Sequence, residues 1–580
     1  MTDTLVTDNF CLLRLVVNKK LYDQIIEMRE VAHVDRPPRV KIEAALDIGL
    51  PELHTSGPPP RDAQGILVID SGVKHHPLLA DAIGGEIAVT TSNGKIAEDK
   101  TDDDAGHGTK VASIALYGDI QHCIDNKKFE PKIWIYSAKV MFRDDNGDAV
   151  FDPNELLEHQ LKKAVLSIIN KHPKCKIINL SLGNSAHKMF TGQRQFSIAS
   201  QIDELAAKHG LIFVVSAGNN DEDVSPTENY PDYLLEDSRR VKIIDPASSA
   251  HAITVGALFK HARNGAVVEF PSQFTRVGPG LRNMIKPELV EYGGGHGDEI
   301  VTINPRWIPD GRLFTLDKGT SFSAPKVAHY LAILKNNYPT MSNNMIKALL
   351  LSSARIPDER PGKLAELELY GSVKDAAKLL NVYGYGKPRL EHALFSDDSR
   401  VLLLYDGEID LNGVHFFTIS LPDSFIREKG DRSITVTLVF DPPVNRNRLD
   451  YLGVTMEAHL FKNKDISEIQ MAYSSKSTFD NDNTEDVVPA NIRKFEVKLS
   501  PGVNLRKRCI HQKATIQFRK KPDVDSSRPL VLAVVCQNRW IEEKVYHQPY
   551  AVIVSIEHSA EIDLYNQIRV RNRERTRLRG

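Results

Sequence analysis

The 580-residue chain lacks any apolar run as long as the roughly 20 residues that a membrane-spanning helix needs. It also lacks a large net charge of either sign: 74 lysine and arginine residues face 76 aspartate and glutamate residues, a formal net charge of −2. This balance argues against a globally basic nucleic-acid-binding protein. Apolar residues make up 41% and charged residues 26% of the chain, which excludes a disordered or collagen-like protein.

Cysteine is scarce, and its five residues are scattered without any C-x-x-C pair. An odd, dispersed set fits neither a disulfide framework nor a zinc site, and it suits a reducing compartment. The first residues show no basic segment ahead of an apolar core with a cleavage site, so we expect no secretory signal and a cytoplasmic location. The cysteines are Cys11, Cys123, Cys175, Cys509 and Cys536.

The chain shows three regions with different residue patterns. Residues 1–50 contain a strand–helix–strand pattern at 10–38 and then a linker. Residues 51–395 alternate short apolar strands with amphipathic helices, which predicts an α/β fold with a doubly wound, mostly parallel sheet covered on both faces. Residues 396–580 show alternation of period two and little helical signal, which predicts an all-β sandwich or jelly roll. The predicted β-strands of this last region are 401–405, 414–421, 433–440, 454–461, 492–499, 514–518, 530–535 and 550–557.

Four short motifs in the middle region carry residues suited to acyl transfer. Residues 68–72 (VIDSG) place Asp70 at the end of an apolar strand, and residues 106–112 (GHGTKVA) place His107 at the start of a helix. Residues 216–219 (SAGN) place Asn219 just past a strand, and residues 319–325 (GTSFSAP) place Ser321 at the start of an apolar helix. Each of these motifs alone is typical of a turn, a loop or a helix cap.

Together the four side chains form a complete set for nucleophilic catalysis. A serine hydroxyl needs a neighbouring base to take its proton, and His107 can serve Ser321 in that way. Asp70 would fix the tautomer of His107 and stabilise the imidazolium. The free N–H groups at the start of a helix favour a developing oxyanion beside Ser321, and the amide of Asn219 can add another donor.

The chain order Asp, His, Ser is the order found in subtilisin. Over residues 65–394 the sequence resembles the subtilisin-like serine peptidase family, the subtilases. The resemblance implies that Asp70, His107 and Ser321 are catalytic and that Asn219 is the oxyanion asparagine. It further implies an endopeptidase that acts on protein or peptide substrates through an acyl-enzyme and requires no cofactor. The alternative is a scaffold or binding protein that uses the subtilisin fold without hydrolysis.

The same resemblance implies where substrate binds. Residues 179–183 resemble the edge strand that pairs with an extended substrate, and the pocket for the P1 side chain lies between this segment and residues 216–219. The acidic run at 221–223, just after Asn220, favours Lys or Arg at P1 if it lines that pocket, and is otherwise a solvated loop. The implied substrate-binding residues are Ser181, Leu182, Gly183, Ser216, Ala217 and Gly218.

An acidic stretch at residues 144–155 is a candidate calcium loop. Asp144, Asn146, Asp148 and Glu155 occupy ligand positions 1, 3, 5 and 12. Ala149 stands where the sharp turn needs glycine, and the plainer interpretation is an acidic turn before a helix. The run at residues 102–104, three aspartates ahead of His107, is likewise either a solvated turn or a set of charges that raises the pKa of His107.

Both ends of the chain leave alternatives open. Residues 10–38 resemble the second half of a subtilase inhibitory propeptide, which leaves an integral remnant, a regulatory piece or the end of a longer region. The six arginines within residues 569–579 favour either a strip for an acidic partner or a solvated end.

Some bacterial intracellular subtilases resemble this plan and are paired with AAA-type ATPases in defence-like modules. The chain has no G-x-x-x-x-G-K-[ST] loop, so such an ATPase would be a separate protein.

Overall fold

A computed structural model describes most of the chain. The described residues are 3–8, 10–31, 34, 47–48, 54–89, 100–144, 149–152, 154–220, 229–236, 238, 240–261, 268–307, 313–397, 399–475, 487–518, 522, 524, 527–543, 545–560 and 562–568. None of the helices in these ranges is both long enough and apolar enough to cross a membrane.

The N-terminal region forms a small hairpin followed by a helix. Strands β1 (Asp3–Val6) and β2 (Cys11–Arg14) pair antiparallel, and helix α1 (Lys19–Ile26) follows. The strand and helix expected within residues 10–28 are confirmed, whereas β1 was not predicted. The final strand of the pattern expected within residues 10–38 stays a prediction, because after residue 28 only residues 29–31 and 34 of this range are described and they form no strand. Two short strands, β3 (Asp47–Ile48) and β4 (His54–Thr55), lead into the middle region.

The middle region contains most of the helices. Its strands are β5 (Gly65–Asp70), β6 (Ile83–Ala88), β7 (Lys128–Phe129), β8 (Trp134–Lys139), β9 (Met141–Arg143), β10 (Ala149–Phe151), β11 (Cys175–Leu180), β12 (Asn184–Lys188), β13 (Ile212–Ser216), β14 (Ile244–Asp245), β15 (Ile253–Leu258), β16 (Leu289–Tyr292), β17 (Ile300–Ile303) and β18 (Phe314–Asp317). Its helices are α2 (His107–Tyr117), α3 (Ile120–Asp125), α4 (Leu157–Lys171), α5 (Ser197–His209), α6 (Thr320–Asn337), α7 (Asn343–Ser353), α8 (Val373–Tyr383) and α9 (Leu390–Leu394).

Seven of these strands form one sheet in the order β16-β15-β13-β11-β5-β8-β6, with every neighbouring pair parallel. Strands β5 and β13 are buried along their whole length, as expected for a parallel sheet with both faces covered. Helix α2 packs beside α6, and α4 packs beside α5. The predicted α/β architecture is therefore confirmed, and the parallel pairing brings the carboxyl ends of β5, β11 and β13 to one edge.

The C-terminal region forms two antiparallel sheets. Its strands are β19 (Arg400–Asp410), β20 (Val414–Ile419), β21 (Arg432–Phe440), β22 (Val454–Phe461), β23 (His511–Phe518), β24 (Leu530–Asn538) and β25 (His547–His558). One sheet has the order β19-β25-β21-β23 and the other β20-β24-β22, which is consistent with the expected β domain. Three helices accompany them: α10 (Asp423–Arg427), α11 (Ile466–Ser475) and α12 (Val503–Arg506).

The strand predicted at 492–499 is wrong. The chain makes a 3-10 turn at Arg493–Phe495 and touches the edge of β22 through a single bridge between Phe461 and Glu496. The alternation in the sequence has a different cause, because Ile492, Val497 and Leu499 are all buried by this irregular segment. An irregular segment whose residues are alternately buried and exposed has the same sequence pattern as a β-strand, so the pattern alone cannot separate the two.

The C-terminal sheets pack directly on the middle region through buried polar contacts. Glu288, just before β16, accepts hydrogen bonds from Lys286 Nζ at 2.6 Å and from the Thr254 N–H at 2.8 Å, and lies 3.1 Å from His511 Nδ1 in β23. Burial by itself would raise the pKa of Glu288, but Lys286 and His511 outweigh it and lower that pKa. The domain boundaries expected at residues 50 and 395 stay predictions.

Replacing Glu288 by alanine should strongly destabilise the protein, because Lys286 would be left buried without its partner. The expected loss in free energy of unfolding is about 3–5 kcal/mol, measured by urea denaturation. The control is Glu130→Ala, which removes an exposed 2.7 Å ion pair with Lys128 and should cost less than about 1 kcal/mol. Similar losses for the two variants would contradict this account of the interface.

Candidate active site

The structure brings the four motif residues to the carboxyl edge of the parallel sheet. Asp70 ends β5, His107 is the first residue of α2, and Asn219 follows β13. Ser321 is the second residue of α6, and the ring of the next residue, Phe322, lies 6.1 Å from the His107 ring. The starts of α2 and α6 therefore adjoin each other at this edge.

Asp70 and His107 form a buried pair. His107 Nδ1 lies 2.9 Å from each carboxylate oxygen of Asp70, and the two residues, His107 and Asp70, are only 7% and 1% exposed. The Ser71 N–H donates to Asp70 at 2.8 Å and holds the carboxylate in place. This arrangement directs Nε2 of His107 away from Asp70, as a general base requires.

A second buried aspartate supports this pair. Asp103 accepts hydrogen bonds from the Ser71 hydroxyl at 2.7 Å, the Gly106 N–H at 2.6 Å and the Thr109 N–H at 2.8 Å. The Ser71 oxygen in turn accepts from the Gly108 N–H at 2.9 Å. Asp103 thus binds the orphan N–H groups that begin α2 and ties them to the strand carrying Asp70.

The prediction of a solvated turn at residues 102–104 is therefore wrong for Asp103, which is 1% exposed. Burial raises the pKa of the Asp103 carboxyl, against its hydrogen bonds with Thr109 and Ser71. Asp102 pairs with Lys74 and Asp104 lies 3.1 Å from Lys139 Nζ, both at the surface end of the turn. The turn is a helix cap with two exposed flanking charges.

The pKa of His107 is raised mainly by Asp70 and Asp317, and the aspartates at 102–104 are not among its main causes. Burial alone would lower it, but Asp70 and Asp317 outweigh burial and the charge of Lys110, so the pKa of His107 lies above its usual value. Asp317 ends β18, and its carboxylate is 2.9 Å from Lys110 Nζ, one turn along α2 from His107. Both side chains of this ion pair are buried. Lys110 stands within the 106–112 motif without an assigned role there, and Asp317 lies outside all four motifs.

Ser321 is joined to the segment after β11. Its hydroxyl donates to the Ser181 carbonyl at 3.4 Å, and the Ser181 hydroxyl donates to the Ser321 carbonyl at 3.1 Å. Within the described residues no hydrogen bond links Ser321 to His107. Such contacts are commonly loose until substrate binds. The structure therefore places Ser321 beside His107 in the fold while its hydroxyl bonds to Ser181.

Asn219 is fixed against the start of α6. Its Oδ1 accepts from the Thr320 N–H and the Thr320 hydroxyl, both at 2.9 Å. Its Nδ2 therefore faces Gly319, where a Cβ, if one were added, would lie 3.1 Å away. Arg276 Nε donates to the Asn219 carbonyl at 2.9 Å, so this loop is held from behind as well. The sequence gives no signal for these roles of Thr320 and Arg276, because their contacts come from distant parts of the chain.

Residues 179–183, the expected substrate-binding segment, do not form the edge strand that was predicted. Residues 179–180 belong to β11, which lies between β5 and β13 in the sheet interior and is therefore not an edge strand. Only residues 181–183 extend past the carboxyl end of β11. Ser216 ends β13, and Ala217 and Gly218 continue it towards Asn219, facing the 181–183 segment across the same edge.

The calcium candidate stays a prediction. Asn146 and Asp148 lie outside the described residues, and Asp144 follows the β9 strand. The Glu155 carboxylate lies 3.0 Å from Lys163 Nζ and 3.6 Å from His159 Nδ1. Asp3 and His159 approach Glu155 closely enough to share an ion, but Asp3 is bonded to His159 at 3.0 Å and to the Leu156 N–H at 2.7 Å. These contacts dock β1 on α4.

Two further predictions also lie outside the described residues: the acidic run at 221–223 and the arginine-rich end at 569–579.

The profile of the subtilase family matches residues 62–386. The uncharacterised protein y4bN of Sinorhizobium fredii is 32% identical over 447 residues, which cover 71% of this chain and 99% of that protein. Subtilisin BL of Lederbergia lenta is 24% identical over 307 residues, covering 53% of this chain and 86% of the relative. The solved structure of an epidermin leader peptide processing serine protease from Staphylococcus aureus is 18% identical, with a TM-score of 0.39, and covers 58% of this chain and 76% of that chain.

The position of Asp317 gives a prediction about the His107 ring. The pKa of His107 should lie above the usual value of about 6.5. Asp317→Asn should lower the pKa of His107, because a nearby negative charge is lost while the positive charge of Lys110 remains. The measurement is an NMR titration of protein labelled on histidine ring carbons, with the His107 signal assigned by its loss in His107→Gln. Asp102→Asn is the control and should leave the pKa unchanged. A shift in the control but not in Asp317→Asn would refute this assignment.

Proposed function

The chain belongs to the subtilase family, a family of serine peptidases, and we propose that it is a serine endopeptidase with Asp70, His107, Ser321 and Asn219 as its catalytic residues. The observation that carries the proposal is the meeting of all four at one sheet edge. The His107–Asp70 pair is formed there, and the Asn219 amide is fixed beside the turn that holds Ser321.

In this mechanism His107 Nε2 takes the proton of the Ser321 hydroxyl as its oxygen attacks the substrate carbonyl. Asp70 keeps Nδ1 protonated and stabilises the imidazolium. The oxyanion is bound by the Ser321 N–H and by Nδ2 of Asn219. His107 then gives its proton to the leaving amine, and the amine departs. Water attacks the acyl-enzyme with His107 again as base, which releases the acid product and regenerates Ser321.

Substrate geometry follows from the position of residues 181–183. An extended peptide pairs with this segment beyond the end of β11, with its scissile carbonyl at Ser321. Ser181 supports this placement because its main chain already contacts Ser321. The P1 side chain then enters between residues 181–183 and 216–218.

We also propose a cytoplasmic enzyme under restraint. All five cysteines are free thiols, which suits a reducing compartment. The hairpin β1–β2 lies on α4 and α5 through Asp3 and through Thr7, whose hydroxyl is 3.3 Å from Glu204. We take residues 1–50 as a retained propeptide-like segment. This would be contradicted if the intact mass of the active enzyme corresponded to a chain that begins near residue 50. A separate AAA-type ATPase partner is proposed from family resemblance, and affinity capture with the Ser321→Ala protein as bait tests it.

Replacing Ser321 by alanine should lower kcat by a factor on the order of 10⁶, the size known for the subtilisin nucleophile. The assay is hydrolysis of a quenched-fluorescent peptide library, together with labelling by a fluorophosphonate probe. Ser323→Ala is the control, since in the described part of the chain its hydroxyl bonds the Thr320 carbonyl within the same helix. Labelling of the Ser321→Ala protein, or its full turnover, would rule out the mechanism. A wild-type protein that neither labels nor hydrolyses would favour the scaffold alternative.

Replacing Asn219 by alanine should lower kcat about 100–1,000-fold, as for the oxyanion asparagine of subtilisin, and leave KM nearly unchanged. The physical reason is that its amide binds charge that develops only in the transition state. Steady-state kinetics on one peptide substrate separates the two constants. A raised KM with an unchanged kcat would show that Asn219 binds substrate without stabilising the oxyanion.

A further inference from the structure

One side chain fills the space between the two segments that flank the P1 side chain. A Cβ added at Gly183 would lie 2.8 Å from Ile244 Cδ1, and a Cβ added at Gly218 would lie 2.8 Å from the same atom. Real Cβ atoms do not approach other heavy atoms so closely. The end of the Ile244 side chain is therefore packed against both glycines at once.

The space between the two segments opens at Ser321 and is closed at its other end by Ile244, which we call the floor of the pocket. Ser181 and Asn219 contact the 319–321 turn, so the two segments begin at the nucleophile. Gly183 lies two residues beyond Ser181, and Gly218 lies one residue before Asn219. A P1 side chain that enters between the segments from Ser321 therefore meets Ile244.

The floor is held rigidly. Ile244 opens β14, which pairs antiparallel with β12 through Asn184–Asp245 and Lys188–Ile244. The preceding residue is anchored on both sides, because the Ile243 N–H donates to the Val277 carbonyl and its carbonyl accepts from the Met189 N–H, each at 3.0 Å. Ile244 itself is 6% exposed. The main chain at Ile244 cannot move away from the two glycines without breaking this pairing.

Charge around the floor does not favour a basic side chain. Arg276 Cδ lies 3.0 Å from the position that a Cβ at Gly218 would take, and its guanidinium is bonded to the carbonyls of Asn219, Arg240 and Lys242. The neighbouring Asp245 carboxylate accepts from the Ala199 N–H at 2.9 Å and lies 3.6 Å from His187 Nδ1. Among the described residues, the Arg276 guanidinium therefore lies behind the pocket, and the Asp245 carboxylate is hydrogen-bonded at the start of α5.

We propose that Ile244 is the specificity-determining residue of this peptidase and that it limits cleavage to bonds after glycine, alanine or serine. The inference rests on the proposed function, since it assigns a substrate class to the same site. Larger side chains at P1 meet the Ile244 methyl groups before the scissile carbonyl reaches Ser321. Lysine and arginine are excluded by size and by the charge of Arg276.

The test is a set of tetrapeptide amides that differ only at P1, with glycine, alanine, serine, leucine, phenylalanine, lysine or glutamate there. For the wild-type chain, kcat/KM should be at least tenfold higher for alanine than for leucine, phenylalanine or lysine, a range typical of steric discrimination in a pocket. Ile244→Ala removes three carbons and should raise kcat/KM for phenylalanine at least tenfold, with the alanine substrate changed less than threefold. Ile244→Val keeps a β-branched residue in the strand and should raise kcat/KM for the leucine substrate alone.

Ile243→Ala is the matched control, because it makes the same change at a neighbouring core residue that is fully buried. It should leave the P1 preference unchanged. The proposal is overturned if the wild type cleaves after phenylalanine as well as after alanine, if folded Ile244→Ala gains nothing, or if Ile243→Ala broadens specificity equally.

A fluorophosphonate probe, which carries no P1 side chain, separates this proposal from the proposed function. If Ser321 labels and the P1 preference is flat, the floor assigned to Ile244 is wrong and the peptidase assignment remains. If Ser321 does not label and no peptide is cut, the proposed function fails, and the assignment of Ile244 fails with it.

Discussion

The parallel hydrogen-bond ladder that joins β5, β11 and β13 is the constraint on which the rest of the site depends. Parallel strands place their carboxyl ends at one edge, so Asp70, Ser181 and Asn219 are brought together by sheet pairing alone. The helices α2 and α6 then begin at that edge and supply His107 and Ser321. The site needs no long loop to assemble it, because each residue lies at or near the end of a regular element.

Buried charge is the second theme of the structure, and each instance in the site has a partner. Asp70 is paired with His107, Asp103 with the N-terminus of α2, and Lys110 with Asp317. An uncompensated charge in such surroundings would cost several kcal/mol, so each partner also restricts where its element can lie. The electrostatic surroundings of His107 are thus set by packing between α2 and β18, as well as by its bond with Asp70.

The parts of the site that could be predicted are those written in short stretches of sequence. Asp70, His107, Asn219 and Ser321 each follow or open an element whose apolar pattern is local, so their positions were accessible without a structure. Lys110 and Asp317 are 207 residues apart, and nothing in either local sequence indicates the pairing. Ile244 is similar: its role comes from two glycines in distant segments of the chain. Asp103 was misread because a buried cap and a solvated acidic turn have the same sequence.

The fold shows the same limit. Five of the seven central strands, β5, β8, β11, β13 and β15, and seven of the eight predicted C-terminal strands follow from apolar runs and alternation. Strands β6 and β16 were not predicted. Residues 492–499 alternate as a strand does, yet they touch the edge of β22 through a single bridge between Phe461 and Glu496. The prediction of an edge strand at 179–183 failed for a related reason: the order of strands in a parallel sheet is set by crossovers that no single segment encodes.

The contact between Glu288 and His511 has a consequence for how the protein is made. The two residues are 223 positions apart, and Asp203 and Tyr451, bonded at 2.6 Å, are 248 apart. A ribosome has therefore already produced Ser321 and the whole catalytic edge well before the strands that complete this interface emerge. Contacts of such long sequence separation form late in folding. The later-synthesised C-terminal strands thus set the moment at which the peptidase region reaches its final packing.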